Sequence, residues 1–208
     1  MTVDFQASLF DTPTIGVGPL TGRIQRRWLT RGAWVDVLPG WFEGADELFA
    51  DLLTDVPWRA EERPMYDNVV TVPRLLHQYG VGDPLPHPAL VEAREALTSH
   101  YTDELREPFV TAGCCYYRDG RDSVAWHGDN IGRGRSQDTM VAIVSFGSPR
   151  KLTLRPVGGH TEAAYPLGHG DLIVMGGSCQ RTWEHAIPKT ARPVGPRISV
   201  QFRPLNVF

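Results

Sequence analysis

From Ala33 onward, apolar and polar positions alternate with two different periods. The run WVDVLPGWF reads as a strand. GADELFADLLTDV then places Leu48, Phe49, Leu52 and Leu53 on one helical stripe behind an acidic first turn. A second helix is predicted in ALVEAREALTSHYTDEL. After Val110 the texture turns β-rich: VTAGCCYY, TMVAIVSF, KLTLRPV, DLIVMGG and RISVQFR are each bounded by Gly, Pro, Asp or Ser. No helical period separates these strands. The pattern therefore predicts a mainly β (α+β) fold, an antiparallel sandwich or jelly roll with helices buttressing one face, and not a parallel βαβ sheet. Residues 1–31 mix GVGPLTG with Arg23, Arg26, Arg27 and Arg31 and show no sustained apolar period. They read as a loosely ordered leader ahead of a single domain over 32–208.

Composition narrows the class. A chain of 208 residues, 41% hydrophobic and 22% charged, has the balance of a globular domain with one substantial core. No stretch approaches the ~18 uncharged apolar residues of a membrane span, and the N-terminus lacks a basic region followed by an apolar run, so a cytoplasmic protein without membrane partners is expected. Three cysteines, two of them adjacent as Cys114 and Cys115, make no disulfide framework.

The net charge of −3 is unevenly spread. Residues 1–117 carry 9 basic and 17 acidic side chains, and residues 118–208 carry 12 and 7, giving −8 and +5. A positive half suits an anionic partner such as a phosphate backbone, and equally an ordinary solvated surface. Arg118, Arg121, Arg133, Arg135, Arg150 and Lys151 supply much of it.

Candidate chemistry begins at His127-Gly-Asp129. On extended chain, residues two apart share a side, so an imidazole and a carboxylate can address one ion. Several strands later His185 can return a third ligand. Two histidines and one carboxylate leave three octahedral positions open, the arrangement of non-haem Fe(II) oxygenases. The duplicate His169-Gly-Asp171 stands directly before DLIVMGG and is assigned to the turn into that strand. On RISVQFR, Arg197 and Arg203 share one face of a regular strand, with Ser199 between them. Buried guanidinium groups demand an anion, and a dicarboxylate cosubstrate would meet that demand; an outer edge strand with exposed arginines is the plainer alternative.

In the motifs CYYRDGRDSVAWHGDN, HGDLIVMGG, WEHAIP and RISVQFR, in that order, the chain from about Val35 to Leu205 resembles the AlkB family of 2-oxoglutarate dioxygenases. The resemblance implies a double-stranded β-helix with Fe(II) on His127, Asp129 and His185. It places 2-oxoglutarate on that iron and against Arg197, with Tyr117, Cys115, Ser199 and Arg203 as further cosubstrate contacts. O2 is the oxidant, and ascorbate the expected reductant in vitro. The implied reaction converts 2-oxoglutarate to succinate and CO2 while an N-linked alkyl carbon is oxidised and leaves as formaldehyde. MYDNVVTVPRLLHQYG is similar to the family's nucleotide-recognition lid, which makes Tyr66, Arg74, His77, Tyr79, Trp126, Asn130, Arg133 and Arg135 the expected substrate contacts. A base taken out of its stack needs rings and edge contacts to hold it. At Cys115 the better-known members carry an Asn that contacts 2-oxoglutarate, and beyond Tyr79-Gly80 many carry an additional ring where this chain reads VGDPLPHP.

Three readings stand at the level of sequence. The first is a monomeric enzyme that demethylates N-alkylated bases such as 1-methyladenine or 3-methylcytosine in DNA, single-stranded DNA among its substrates. The second is a dioxygenase of the same fold acting on RNA, protein or a small metabolite. The third is a non-catalytic jelly roll holding a structural metal.

Overall fold

In the computed structural model, which describes residues 15–65 and 68–207, the first half of the chain runs β1 (Gly16–Val17), β2 (Gln25–Trp28), a 3-10 turn (Thr30–Gly32), β3 (Ala33–Leu38), β4 (Phe42–Glu43), α1 (Ala45–Asp55), β5 (Arg59–Met65), β6 (Asn68–Tyr79), α2 (Pro88–His100) and α3 (Thr102–Leu105). The second half runs β7 (Thr111–Tyr117), β8 (Val124–His127), β9 (Val141–Gly147), β10 (Arg150–Pro156), β11 (Ala163–Leu167), β12 (Asp171–Gly177), α4 (Cys179–Thr182), β13 (Trp183–Ile187) and β14 (Arg197–Arg203). Eight strands form one sheet in the order β2-β3-β12-β9-β14-β7-β6-β5, and four form a second in the order β11-β10-β13-β8. Pairing is antiparallel throughout. This is the mainly β jelly-roll architecture with a few helices that the strand pattern predicts. Among the described residues, no helix is long and apolar enough to cross a membrane.

The period of two divides the large sheet into two faces. One carries Ala112, Cys114, Val144, Val200 and Phe202 and packs against Leu48 and Leu52 of α1 and Leu90 and Leu97 of α2. The other carries Val35, Ile143, Ile173 and Met175 and closes on Leu152, Leu154, Trp183 and Ile187 of the small sheet. On β14 this second face is polar: Arg197, Ser199 and Gln201 are all buried between the sheets. Polar side chains in the middle of a sandwich interior mark where the fold gives up packing for chemistry.

The second predicted helix is broken. α2 begins at Pro88, capped by the His87 ring, whose Nδ1 accepts from Ala89 N at 3.1 Å. It ends at Tyr101, which lies buried with its hydroxyl donating to Asp36 at 2.9 Å. Only the short α3 follows.

The expected leader is corrected where it is described. Residues 25–28 form the edge strand β2, paired on β3 from Gln25↔Val37 to Trp28↔Trp34. Arg26 drives this. Its guanidinium donates from Nε and Nη2 to the buried Asp36 carboxylate at 2.8 and 2.7 Å, and from Nη1 to Glu104 at 2.7 Å. It also stacks 3.7 Å over the Trp34 ring. A single edge strand with one inward arginine shows no apolar period, so sequence pattern alone passes over it. Arg26→Ala leaves Asp36 buried without its counter-charge and is expected to cost about 3 kcal/mol in urea unfolding. A loss below ~1 kcal/mol, the range of exposed pairs, would remove that role.

Candidate active site

β8 and β13 are adjacent in the small sheet, and their register places His127 directly opposite His185. The two rings lie 4.2 Å apart between centroids. Asp129 enters from the loop after β8, and one ligand atom from each of the three residues lies within 4.8 Å of the others. His127 Nδ1 is 2.8 Å from Ala125 O. A carbonyl only accepts, so Nδ1 carries a proton and Nε2 is the nitrogen turned to the other ligands, 3.7 Å from Asp129 Oδ1. Burial, with His127 alongside, holds the His185 imidazolium down to about 3, so the ring is neutral. For Asp129, burial raises the carboxyl pKa, but Arg203 foremost, then His185 and His127, draws it down to about 2. Two imidazoles and an ionised carboxylate on one side of a point can hold one divalent ion with coordination positions to spare.

Asp129 is held at its carboxylate and at its backbone N–H. Arg203 donates to Asp129 Oδ2 from Nε at 3.2 Å and Nη2 at 3.1 Å. Gln180, buried on α4, accepts from Asp129 N through Oε1 at 3.0 Å. Gly128 between the ligands is required, because a Cβ there would run into the carbonyl oxygen of Gln180. Gln180 is a site residue that sequence reasoning missed; a glutamine on a strand connection carries no spacing signal. Gln180→Leu is expected to weaken divalent-metal binding on the order of tenfold, read by Mn(II) or Co(II) titration, with an unchanged far-UV circular dichroism spectrum. Unchanged affinity would make Gln180 a packing residue only.

Beside the triad, between the sheets, a cavity is lined by Cys115, Tyr117, His127, Ile143, Leu152, His185, Arg197, Ser199, Gln201 and Arg203. Arg197 is buried; its Nε donates to Ser145 Oγ at 2.8 Å, and its Nη1 has no partner among the described residues. Its guanidinium lies 5.1 Å from the Tyr117 ring centre. Burial lowers the Arg197 pKa and raises that of Tyr117 to about 12. A buried cation with an open donor fits an incoming carboxylate, as a dicarboxylate cosubstrate would supply. Ser199 Oγ accepts from Gln201 Nε2 at 2.6 Å, and Cys115 Sγ lies 3.6 Å from Gln201 Oε1. Gln201, which the sequence reading did not name, is thus the hub of the cavity floor; its place two residues past Ser199 was the available signal. Arg203 lines the same cavity as Arg197, and its guanidinium also meets Asp129.

From the outside a groove of about 860 Å³ opens onto the triad. One wall is β6, with Thr71, Arg74, Leu76 and Gln78; the other is the stretch from Ser123 to Asp129, with Ile131 and Lys189 at its margins. Arg74 donates through Nη1 to Ser123 O at 3.0 Å. Trp126 lines the groove with Arg155 4.3 Å over its ring, and Asn130 is exposed. The expected contacts His77 and Tyr79 are elsewhere. In register with Cys114 and Ala112 they occupy the helix face of the sheet, and Tyr79 is part of that core. The period of two counted from Arg74 selects Leu76 and Gln78 for the groove and excludes the rings. Arg133 pairs with Glu107 at 2.8 Å and donates to Leu205 O at 3.0 Å, so it braces a loop and does not meet the groove. Arg135 is exposed and outside the groove lining. Tyr66 lies outside the described residues.

Much of the positive half is neutralised internally. Arg118 pairs with Asp122 at 2.8 Å and Arg121 with Asp119 at 2.6 Å, while Arg150 donates to the carbonyls of Asp119, Asp122 and Pro188. The second His-Gly-Asp serves turns: His169 Nδ1 accepts from Gly147 N, and Asp171 accepts from Gly40 N and Gly168 N.

Comparison with known proteins agrees with this geometry. The 2OG-Fe(II) oxygenase superfamily matches residues 35–203. The chain is 31% identical over 182 residues to alpha-ketoglutarate-dependent dioxygenase alkB homolog 3 of Bos taurus, covering 76% of this chain and 61% of that protein. It is 25% identical to DNA oxidative demethylase ALKBH2 of Homo sapiens, over 76% of this chain and 68% of that protein. The match to the homolog 3 proteins thus spans about three fifths of their length. Among solved structures, a Trichoplax adhaerens prolyl hydroxylase in complex with a hypoxia inducible factor peptide fragment shares the fold, with a TM-score of 0.61 at 12% identity over 85% of this chain and 84% of that one.

Proposed function

Because the chain belongs to the 2OG-Fe(II) oxygenase superfamily, and within it to the AlkB family, we propose that it oxidatively removes alkyl groups from N-alkylated nucleobases in DNA, with Fe(II) on His127, Asp129 and His185 and 2-oxoglutarate against Arg197. The observation that carries this is the shared wall. Val124, His127, Ile187 and Arg203 line both the buried cavity and the open groove, so the triad stands between a place for a carboxylate and a place for a base. One of the relatives is named a DNA oxidative demethylase, which supports DNA as the substrate class.

When bound, iron and 2-oxoglutarate supply the oxidising power: O2 is consumed, 2-oxoglutarate leaves as succinate and CO2, and a carbon–hydrogen bond of the alkyl group becomes a carbon–oxygen bond. The protein's own side chains set the geometry. Arg197, buried and with an open Nη1 donor, would hold the far carboxylate, where a charge-assisted hydrogen bond is strong. The Tyr117 hydroxyl stays protonated at neutral pH and can donate to the same carboxylate. Ile143, Leu152 and Ile187 give the cavity an apolar wall. Asp129, fixed by Arg203 and Gln180, keeps the ligand set rigid. The groove admits a base only after it has left its stack, so single-stranded or extruded nucleotides are the natural form of substrate. A methyl carbon that has gained a hydroxyl group loses the hydroxyl proton as its bond to the ring nitrogen breaks; the nitrogen keeps the bonding pair and the carbon departs as formaldehyde.

The test is a single-stranded oligonucleotide containing 1-methyladenine, incubated with protein, Fe(II), ascorbate and 2-oxoglutarate, and read by mass spectrometry of the base. Loss of the methyl group only when both iron and 2-oxoglutarate are present is expected; an intact methyl group beside accumulating succinate would refute the substrate. A second reading, the same reaction on RNA, protein or a metabolite, gains from the position of His77 and Tyr79 on the helix face, which leaves Trp126, with the ligand His127, as the rings along the groove among the described residues. A purely structural metal module gives no role to the partnerless donor of Arg197.

A further inference from the structure

On the floor of the buried cavity, side chains from two paired strands form a directed chain of hydrogen bonds. Cys115 on β7 stands opposite Ser199 on β14, and Gln201 follows two residues along the same face. Ser199 and Gln201 are buried between the sheets, and all three line the cavity with Arg197 and the two histidines of the triad. The Gln201 amide nitrogen donates to Ser199 O at 3.1 Å and to Ser199 Oγ at 2.6 Å, which engages both of its protons. A carbonyl oxygen only accepts, so the nitrogen is the end of the amide turned to Ser199, and Oε1 is the end turned to Cys115 Sγ, 3.6 Å away. The amide finds room because its register partner on β7 is Gly113: a Cβ there would stand 3.0 Å from Gln201 Oε1.

This arrangement decides what the serine can do. An amide N–H cannot accept, so the Ser199 hydroxyl receives a hydrogen bond from Gln201 and keeps its own proton for another group. Among the described residues no acceptor meets that proton, and the hydroxyl borders the cavity. We propose that Gln201 is a positioning residue for the cosubstrate: by donating to Ser199 Oγ it turns the serine proton into the cavity, where an acceptor oxygen of 2-oxoglutarate receives it. The inference rests on the 2-oxoglutarate reading above. Arg197, two residues before Ser199 on the same face, brings charge to the ligand, and Ser199 brings a neutral donor of fixed direction. Without the amide a serine hydroxyl turns freely and can bond a backbone carbonyl instead. A direction set in advance leaves less to be ordered when the ligand binds.

A residue that acts through Ser199 has nothing to act on once the hydroxyl is gone. Gln201→Met, Ser199→Ala and the double variant would be compared with the wild-type protein by calorimetric titration of 2-oxoglutarate into Mn(II)-loaded protein, and by succinate formation with Fe(II). Each single variant is expected to weaken 2-oxoglutarate binding about tenfold, and Gln201→Met to add less than about twofold in the Ser199→Ala background. During turnover the loss should appear in KM for 2-oxoglutarate and not in kcat. Far-UV circular dichroism checks the fold; should Gln201→Met not fold, Gln201→Asn, too short to reach Ser199 Oγ, takes its place in the same comparison. Binding that the Gln201 variant leaves unchanged, or losses that multiply in the double variant, would overturn the positioning role while leaving the cosubstrate site in place. A wild-type protein that binds Mn(II) but no 2-oxoglutarate would remove the cosubstrate reading itself, and this inference with it.

Discussion

His185→Ala is expected to reduce iron- and 2-oxoglutarate-dependent succinate formation by about a thousandfold or more, corresponding to ~4 kcal/mol of lost transition-state stabilisation. The ring is buried, neutral and opposite His127 in a strand pair, so no nearby side chain can take its place. The fold should survive the change. The two histidines sit on paired strands whose neighbours Leu154, Ile187 and Trp183 are buried in their own right, and an open metal site contributes less to folding than a closed structural one. Far-UV circular dichroism and thermal unfolding of the metal-free variant separate the two effects. A variant that keeps both its structure and most of its turnover would overturn the ligand assignment.

Arg197→Ala is expected to raise the 2-oxoglutarate concentration at half-saturation by about thirtyfold or more, equivalent to ~2 kcal/mol for a desolvated charge-assisted contact. The argument is the orphaned Nη1 donor on a guanidinium sealed between the sheets, oriented by Ser145 and the Tyr117 ring. Arg197→Lys should recover only part of the loss, since an ammonium supplies charge without the planar fork. Succinate formation titrated against 2-oxoglutarate at fixed iron gives the answer. An unchanged half-saturation point would take Arg197 out of the cosubstrate site.

The parts of the molecule that were legible in sequence share a physical origin. Strands with a period of two, bounded by turn residues, could pack only as facing sheets, and β7, β9, β10, β12 and β14 lie where that pattern puts them. His127, Asp129 and His185 come together because strand spacing and antiparallel return are local rules with a long-range result. What escaped notice depended on which face a strand turns inward. His77 and Tyr79 follow a motif that names residue types without a face, and their register with β7 directs them to the helices. Arg26 and Arg133 read as free charge until their partners Asp36 and Glu107, distant in sequence, are seen beside them. Gln180 escaped for the same reason, a buried amide declaring its role only through the atoms it touches, whereas Gln201 was signalled by its place two residues past Ser199.

The central claim is that one site couples 2-oxoglutarate oxidation to base demethylation, and the most direct measurement is the ratio of succinate formed to methyl groups lost from a 1-methyladenine oligonucleotide during turnover. The account predicts equal amounts of the two, both abolished by omitting iron. Succinate formed in steady excess with the base unchanged, or methyl loss that persists without 2-oxoglutarate, would contradict it.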